Sequence, residues 1–251
     1  MSAPLAVYAL RLGDDALILS QRLGQWVTRA PQLEEDVALG NIALDLLGQA
    51  RTLLTYAGEV EGAGRSEDDL AFLRDERDFL NVQLVERPDG DFAGAMAKQL
   101  LFSTYQLALY DGLQASADQT LAAIAAKAVK EVAYHRDHAT QWVLRLGDGT
   151  AQSHERMQAA LEKVWPHVPE LFATDDLEQR LVASGVAVDV STLAQEWDDY
   201  VDQVLSRATL TRPVGAPRLP GGGRRGLHTE SFGYLLAEMQ HLHRSHAGAT
   251  W

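Results

Sequence analysis

Residues 32–60, QLEEDVALGNIALDLLGQARTLLTYAGEV, decide the fold class because their apolar residues recur at helical spacing. Leu39, Ile42, Leu46 and Leu53 fall on one stripe of such a helix, which is the pattern of a helix face that packs on a core. The segment is also far longer than an ordinary strand. It therefore predicts a long amphipathic helix rather than a sheet element.

The rest of the chain is predicted to be helical as well, since proline and glycine gather at segment boundaries and strand-like alternation is absent. We predict helices over residues 14–28, 32–60, 67–85, 92–115, 119–146, 153–172, 176–184, 190–207 and 229–246. Residues 211–226, rich in proline and glycine, are predicted to form an extended loop. The four long segments with short connectors indicate an all-α, four-helix bundle at about residues 32–147. Additional N- and C-terminal helices and a basic, glycine-rich tail complete a single predicted domain over residues 1–251.

Three helix-borne carboxylates resemble part of a two-metal site. Ferritin-like diiron or dimanganese bundles use one Glu from each of two helices and a Glu-x-x-His pair from each of the other two. Asp45, Glu76 and Glu131 lie on three of the predicted helices. The residue three after Glu76 is Phe79, and the residue three after Glu131 is Tyr134, so neither expected histidine is present.

The third helix of the predicted bundle weakens the metal site further. Residues 92–110, FAGAMAKQLLFSTYQLALY, contain no acid. His135 follows Glu131 by four residues, so a rotated helix could pair the two as ligands; alternatively, His135 and His138 make ordinary polar contacts. We therefore predict relic ligand positions at Asp45, Glu76 and Glu131, without catalytic residues, metal or cofactor in this chain.

The surviving carboxylates still need an explanation, because a buried carboxylate is costly unless it is paired. The candidate cations are Arg74, Arg77, Lys98 and Lys130. Either a buried ionic network or exposed surface pairs would satisfy this pattern.

Composition excludes several classes of protein. The chain has no cysteine, so disulfides and thiolate metal sites are excluded. A net charge of −13 argues against a nucleic-acid binder. We see neither a signal peptide nor an apolar run of membrane-spanning length, so a soluble, cytoplasmic protein is expected.

The C-terminal region is basic although the chain is acidic. Residues 205–251 contain six arginines, including Arg218, and two glutamates, a net charge of +4 that leaves −17 for the remainder. Within them, GGGRRG at 221–226 suggests that Arg224 and Arg225 contact a partner or an anion. A flexible link that docks on an acidic partner and a solvated tail without a role are the other interpretations.

Five stretches carry a resemblance to a known family. They are YALRLGDDALILSQRLGQW, ALGNIALDLLGQAR, LAFLRDERDFLNVQLVE, KAVKEVAYHRDHATQWVLRLGDGT and GGGRRGLHTESFGYLLAEMQ. In order and spacing, these motifs are similar to the C-subunit family of bacterial phenylacetyl-CoA 1,2-epoxidase, across almost the whole chain.

The resemblance implies a ferritin-like member of a multicomponent monooxygenase in phenylacetate catabolism. It implies that a catalytic sibling holds the diiron centre, and that a reductase with FAD and an iron–sulfur cluster supplies electrons from NADPH. This chain would then be a non-catalytic structural subunit that keeps the sibling folded and soluble.

Two other hypotheses stay open. One is an autonomous diiron or dimanganese oxygenase or ferritin-like store that uses Asp45, Glu76, Glu131 and His135. The other is a self-associating helical scaffold with a different partner.

Overall fold

In the computed structural model, which describes residues 2–215, 221–246 and 248–249, every regular element is a helix. The α-helices are α1 (Ser2–Gly24), α2 (Leu33–Glu61), α3 (Gln83–Glu86), α4 (Phe92–Leu113), α5 (Gln119–Gly147), α6 (Ala151–Val164), α7 (Asp176–Ala183), α8 (Ala194–Arg207) and α9 (Glu230–Ser245). One π-helical turn lies at Asp69–Leu73, and 3-10 turns lie at Glu76–Asp78, Trp165–Phe172, Val190–Leu193 and Gly223–Arg225. The all-α prediction is confirmed, and the elements are consistent with a ferritin-like helical bundle.

The chain divides into two compact units. The first unit consists of Met1–Pro88 and Gly221–Trp251, and the second consists of Asp89–Pro220. Residues 216–220, with Arg218 and part of the predicted loop, lie outside the described residues. Within the described helices, none combines the length and the apolar composition needed to cross a bilayer. The predicted single domain over residues 1–251 stays a prediction.

Helix α1 begins twelve residues earlier than predicted and packs along α2. The helix continues through Gly13, where packing explains the glycine. A Cβ there would press on Leu54 of α2, so glycine allows α1 and α2 to approach closely. The helix ends before Thr28, whose positive φ of 68° does not fit a right-handed helix. The predicted range 14–28 was therefore wrong at both ends.

The predicted long helix over residues 67–85 is also wrong. The chain there makes one π-helical turn, one 3-10 turn and the four-residue α3, joined by extended residues such as Phe79 and Val82. Asp14 and Asp15 of α1 accept the backbone N–H groups of Leu80 and Val82, at 2.8 Å in both cases. These carboxylates satisfy donors that a helix would otherwise satisfy, so tertiary contacts override the local pattern.

The second unit is built on the pair α4 and α5, whose observed bounds lie within two residues of those predicted. Asp91 caps α4 by accepting the N–H of Gly94 at 3.0 Å. Trp197 of α8 is buried and donates its indole N–H to the Leu101 carbonyl at 2.8 Å. The predicted helix 153–172 is α6 followed by a 3-10 turn, since Pro166 and Pro169 cannot donate helical hydrogen bonds.

Candidate functional site

The positions predicted to be relic metal ligands lie in different surroundings. In the first unit, Asp45 is half-buried on α2, and Glu76 is exposed at the start of a 3-10 turn. In the second unit, Glu131 is half-buried on α5, and His135 is buried one turn further along the same helix. Across the described residues, no three histidine, aspartate or glutamate side chains are grouped closely enough to hold a metal ion. The expected absence of a metal stays a prediction.

Phe79 and Tyr134, which stand where the diiron pattern has histidine, also differ in their exposure to solvent. Phe79 is fully buried, with the Arg74 guanidinium 4.1 Å from its ring centroid and the Phe232 ring edge-on at 5.6 Å. Tyr134 is half-exposed on α5. Glu76 is in a three-residue 3-10 turn and Phe79 is extended, so the prediction that Glu76 lies on a long helix is wrong.

The candidate site that the structure reveals is a set of buried ionic contacts in the first unit, here called the buried charge network. It consists of Asp14, Asp15, Arg74, Glu86, Arg224 and His228. Three acids meet three basic groups, so the charges balance pair by pair. Removing either partner of such a buried pair destabilises the protein, because the remaining charge would be buried and uncompensated.

The first pair joins α1 to the segment before α3. The guanidinium of Arg74 donates to both carboxylate oxygens of Asp14, and the Nη1 contact measures 3.0 Å. Arg74 also donates to the carbonyls of Leu70 at 2.5 Å and Asp78 at 2.9 Å. The bidentate geometry fixes the direction of the guanidinium and, through it, the two turns that precede Phe79.

The second pair joins α1 to the C-terminal region. Arg224 donates to the two oxygens of Asp15 at 3.1 Å and 2.7 Å, and to the carbonyls of Arg11 and Leu80 at 3.0 Å each. Burial raises the pKa of Asp15 to about 6, against the opposing effects of Arg224 and of the Val82 N–H. Asp15 is therefore mostly ionised at neutral pH and paired with Arg224.

The third pair, His228 and Glu86, is closed to solvent. Nδ1 of His228 lies 2.6 Å from Oε2 of Glu86, and Nε2 lies 2.9 Å from the Phe79 carbonyl oxygen. Burial disfavours the charged imidazole, but Glu86 and the Phe79 carbonyl outweigh it and raise the pKa of His228 above 6.5. Both ring nitrogens face acceptors, so the imidazolium, which donates from both, is the form that fits.

The glycines at 221–226 allow the C-terminal loop to lie against the backbone of residues 77–83. A Cβ at Gly223 would overlap the carbonyl oxygen of Asn81, and a Cβ at Gly226 would overlap that of Arg77. Gly226 also has a φ of +71°, which non-glycine residues rarely adopt. These glycines thus serve close backbone packing within the unit.

Comparisons with known proteins place the chain in a family. The family model described as phenylacetic acid catabolic protein matches residues 1–251. The chain belongs to this family. It is similar to the C subunit of 1,2-phenylacetyl-CoA epoxidase from Escherichia coli (strain K12), at 49% identity over 247 residues that cover 98% of this chain and 99% of the relative. The resemblance stated from the sequence motifs is confirmed.

The two tail arginines predicted to contact a partner or an anion differ in position. Arg224 points into the buried charge network, whereas Arg225 is exposed. An anion at Arg224 would have to compete with Asp15. The contact of either arginine with a partner or an anion stays a prediction.

The sequence did contain a signal for the buried charge network. Asp14 and Asp15 stand together in YALRLGDDALIL at residues 8–19, a stretch that is apolar apart from these two acids and Arg11. Adjacent acids in such a stretch indicate buried carboxylates that need cationic partners. The partners themselves, about 60 and 209 residues away, could not be identified from local spacing.

The second unit has a cleft of about 450 Å³ that contains none of the predicted site residues. Its walls include Trp165, Phe172 and Trp197. Arg212 lies at its edge and pairs with Asp198 at 2.5 Å and Asp202 at 2.8 Å. The charge of Arg212 is thus balanced by carboxylates of the same unit.

Proposed function

We propose that this protein is a non-catalytic member of a cytoplasmic phenylacetyl-CoA 1,2-epoxidase complex. Its role is to pair with the diiron catalytic subunit and to keep that subunit folded and soluble. The diiron centre belongs to the catalytic subunit, and the FAD, the iron–sulfur cluster and the NADPH site belong to the reductase.

The observation that carries this proposal is the environment of Glu76 and Phe79. A diiron site needs about six donors for each metal, and much of the set comes from Glu-x-x-His pairs. Here Glu76 is exposed on a short turn, and Phe79 is a core residue between Arg74 and Phe232. The donors Asp45, Glu76, Glu131 and His135 therefore do not fit a diiron pair.

The similarity to the Escherichia coli epoxidase protein supports the assignment to a complex. That relative is named as one subunit of an enzyme, which implies that the enzyme has further subunits. The buried charge network supports a structural role, because its charged hydrogen bonds fix three distant parts of one unit.

Coexpression with the catalytic subunit of the epoxidase tests the proposal. We expect that subunit to be soluble, and the mixture with reductase to epoxidise phenylacetyl-CoA, only when this chain is present. The control is the catalytic subunit expressed alone under the same conditions.

Metal analysis of the isolated chain tests the alternative of an autonomous diiron or dimanganese enzyme. About two metals per chain, lost in a Glu131→Ala variant, would overturn the non-catalytic assignment. We expect no stoichiometric iron or manganese and no effect of Glu131→Ala on metal content.

A further inference from the structure

Helix α2 is apolar on two opposite faces. Its inner face, with Ile42, Leu46 and Leu53, is buried in the first unit. At about 100° per residue, four other apolar side chains fall on the opposite side of the helix. These are Leu33, Val37, Leu44 and Leu47, which are 75%, 56%, 65% and 38% exposed. A helix that is apolar all round is usually buried all round, so this second face is suited to a contact that the described chain does not supply.

Gly40 lies among these four side chains. Glycine inside a helix lowers helix stability relative to alanine, so its presence needs a reason. A Cβ built at Gly40 meets nothing within 4 Å, which contrasts with Gly13 on α1. The packing of the described residues therefore gives no reason for glycine at position 40, whereas close approach of another chain to the helix backbone would.

The charges beside this face indicate the chemistry of the partner. Between Leu33 and Ala50, every charged residue of α2 is acidic, and Glu34 and Asp36 lie on either edge of the exposed face. The first cation, Arg51, pairs with Glu67 at 3.5 Å. The same face of a second copy would bring the same acidic edges, whereas a partner with Lys or Arg beside its apolar side chains would be complementary.

We infer that the outer face of α2, defined by Leu33, Val37, Gly40, Leu44 and Leu47, receives an apolar helix of the catalytic subunit with basic residues along its edges. This inference rests on the proposed function and assigns the surface through which this chain binds the catalytic subunit. The face runs for about 21 Å and is about 10 Å wide, or roughly 200 Å², against about 800 Å² per partner in a typical stable interface. It is the apolar centre of that interface, with neighbouring surface around it.

Two variants of the outer face test the inference by affinity measurement with the purified catalytic subunit. Leu44→Lys places a charge on the apolar face, and Gly40→Leu fills the space for a partner helix. We expect each variant to weaken binding about tenfold or more, as central interface residues do. Neither should lower the melting temperature of the isolated chain, because Leu44 is 65% exposed and a Cβ at position 40 has no atom within 4 Å.

The matched control is Leu242→Lys on α9, where the leucine is 53% exposed. We expect this variant to bind like the wild type. Wild-type affinity in both Leu44→Lys and Gly40→Leu would overturn the inference and leave the proposed function standing, since the complex would still form. Loss of self-association in these variants, with the complex intact, would instead assign the face to a second copy. Failure of the wild-type chain to bind the catalytic subunit would overturn the proposed function together with the inference.

Discussion

His228 and Glu86 form an ion pair closed to solvent, with 2.6 Å between Nδ1 and Oε2. The second ring nitrogen, Nε2, faces the Phe79 carbonyl oxygen, and the imidazole stacks on Phe232 at a centroid distance of 4.1 Å. Glu76 adds a further negative charge near the ring, while Arg22 donates to the Glu86 carbonyl at 2.6 Å and 2.9 Å. The C-terminal region is thereby connected to α3 through a titratable group.

This pair predicts a loss of stability at alkaline pH. The pKa of His228 is raised in the folded protein above the ordinary 6.5, so the folded state holds the proton more tightly than the unfolded state. The contribution to stability is complete below pH 6.5 and is lost as the pH rises through the folded-state pKa. Urea titrations from pH 6 to 9 should show a falling free energy of unfolding, and His228→Gln should flatten that dependence. His241→Gln, at an exposed histidine, is the control that should keep the wild-type slope.

Arg224 and Arg225 should differ sharply although they are adjacent. Arg224→Ala leaves the buried carboxylate of Asp15 without its cation, and such a loss typically costs about 3–5 kcal/mol. Arg225→Ala changes an exposed side chain and should alter the free energy of unfolding by less than about 0.5 kcal/mol. Chemical denaturation of both variants measures the difference. Equal effects at the two positions would contradict the structural role of Arg224.

Two glycines with nearly the same positive φ separate torsional strain from steric overlap. Gly215 has a φ of +72° with open space around it, so Gly215→Ala should cost only the strain of a positive φ, about 1 kcal/mol. Gly226 has a φ of +71° and lies against the Arg77 carbonyl, so Gly226→Ala should cost clearly more. Thermal unfolding of both variants gives the comparison, and a similar loss in each would show that the loop can move away from residue 77.

A histidine placed at position 79, where the diiron pattern has one, should not create a metal site. Phe79→His replaces a fully buried ring with a polar one and should lower the free energy of unfolding by about 2–4 kcal/mol. Tyr134→His, at a half-exposed position, should stay within about 0.5 kcal/mol of the wild type. Iron content and urea titration are measured together. Stoichiometric iron in Phe79→His at unchanged stability would contradict the core role of Phe79.

Local sequence pattern predicted the elements whose stability is local. Helices α4 and α5 begin after Asp91 and Asp118, whose carboxylates cap their first turns, and glycine or proline lies near their ends, so their bounds were found within two residues. Residues 67–85 also have helical periodicity, but there the side-chain carboxylates of Asp14 and Asp15 accept the backbone N–H groups of Leu80 and Val82. Sequence spacing alone does not reveal such a distant acceptor.

The glycine-rich segment shows a similar limit on predicting the site. GGGRRG suggested an anion-binding loop because exposed amides and guanidinium groups suit anions. In the structure, Gly223 and Gly226 serve backbone packing, and Arg224 meets a carboxylate of the same chain. The intrachain pairing of Arg224 with a carboxylate of α1 was not predicted from the sequence, because Asp15 lies 209 residues away.

The pairing of Asp15 with Arg224 also constrains the order in which the protein folds during its synthesis. Residues 1–88 leave the ribosome with Asp15 and Glu86 already made, but Arg224 and His228 are translated more than 130 residues later. The intervening unit, Asp89–Pro220, is continuous in sequence, so it can complete its own contacts first. Until residues 224 and 228 have been translated, the carboxylates of Asp15 and Glu86 lack their ionic partners, so the N-terminal unit cannot complete its buried contacts. A nascent chain that stops before residue 224 should therefore be a substrate for chaperones and proteases.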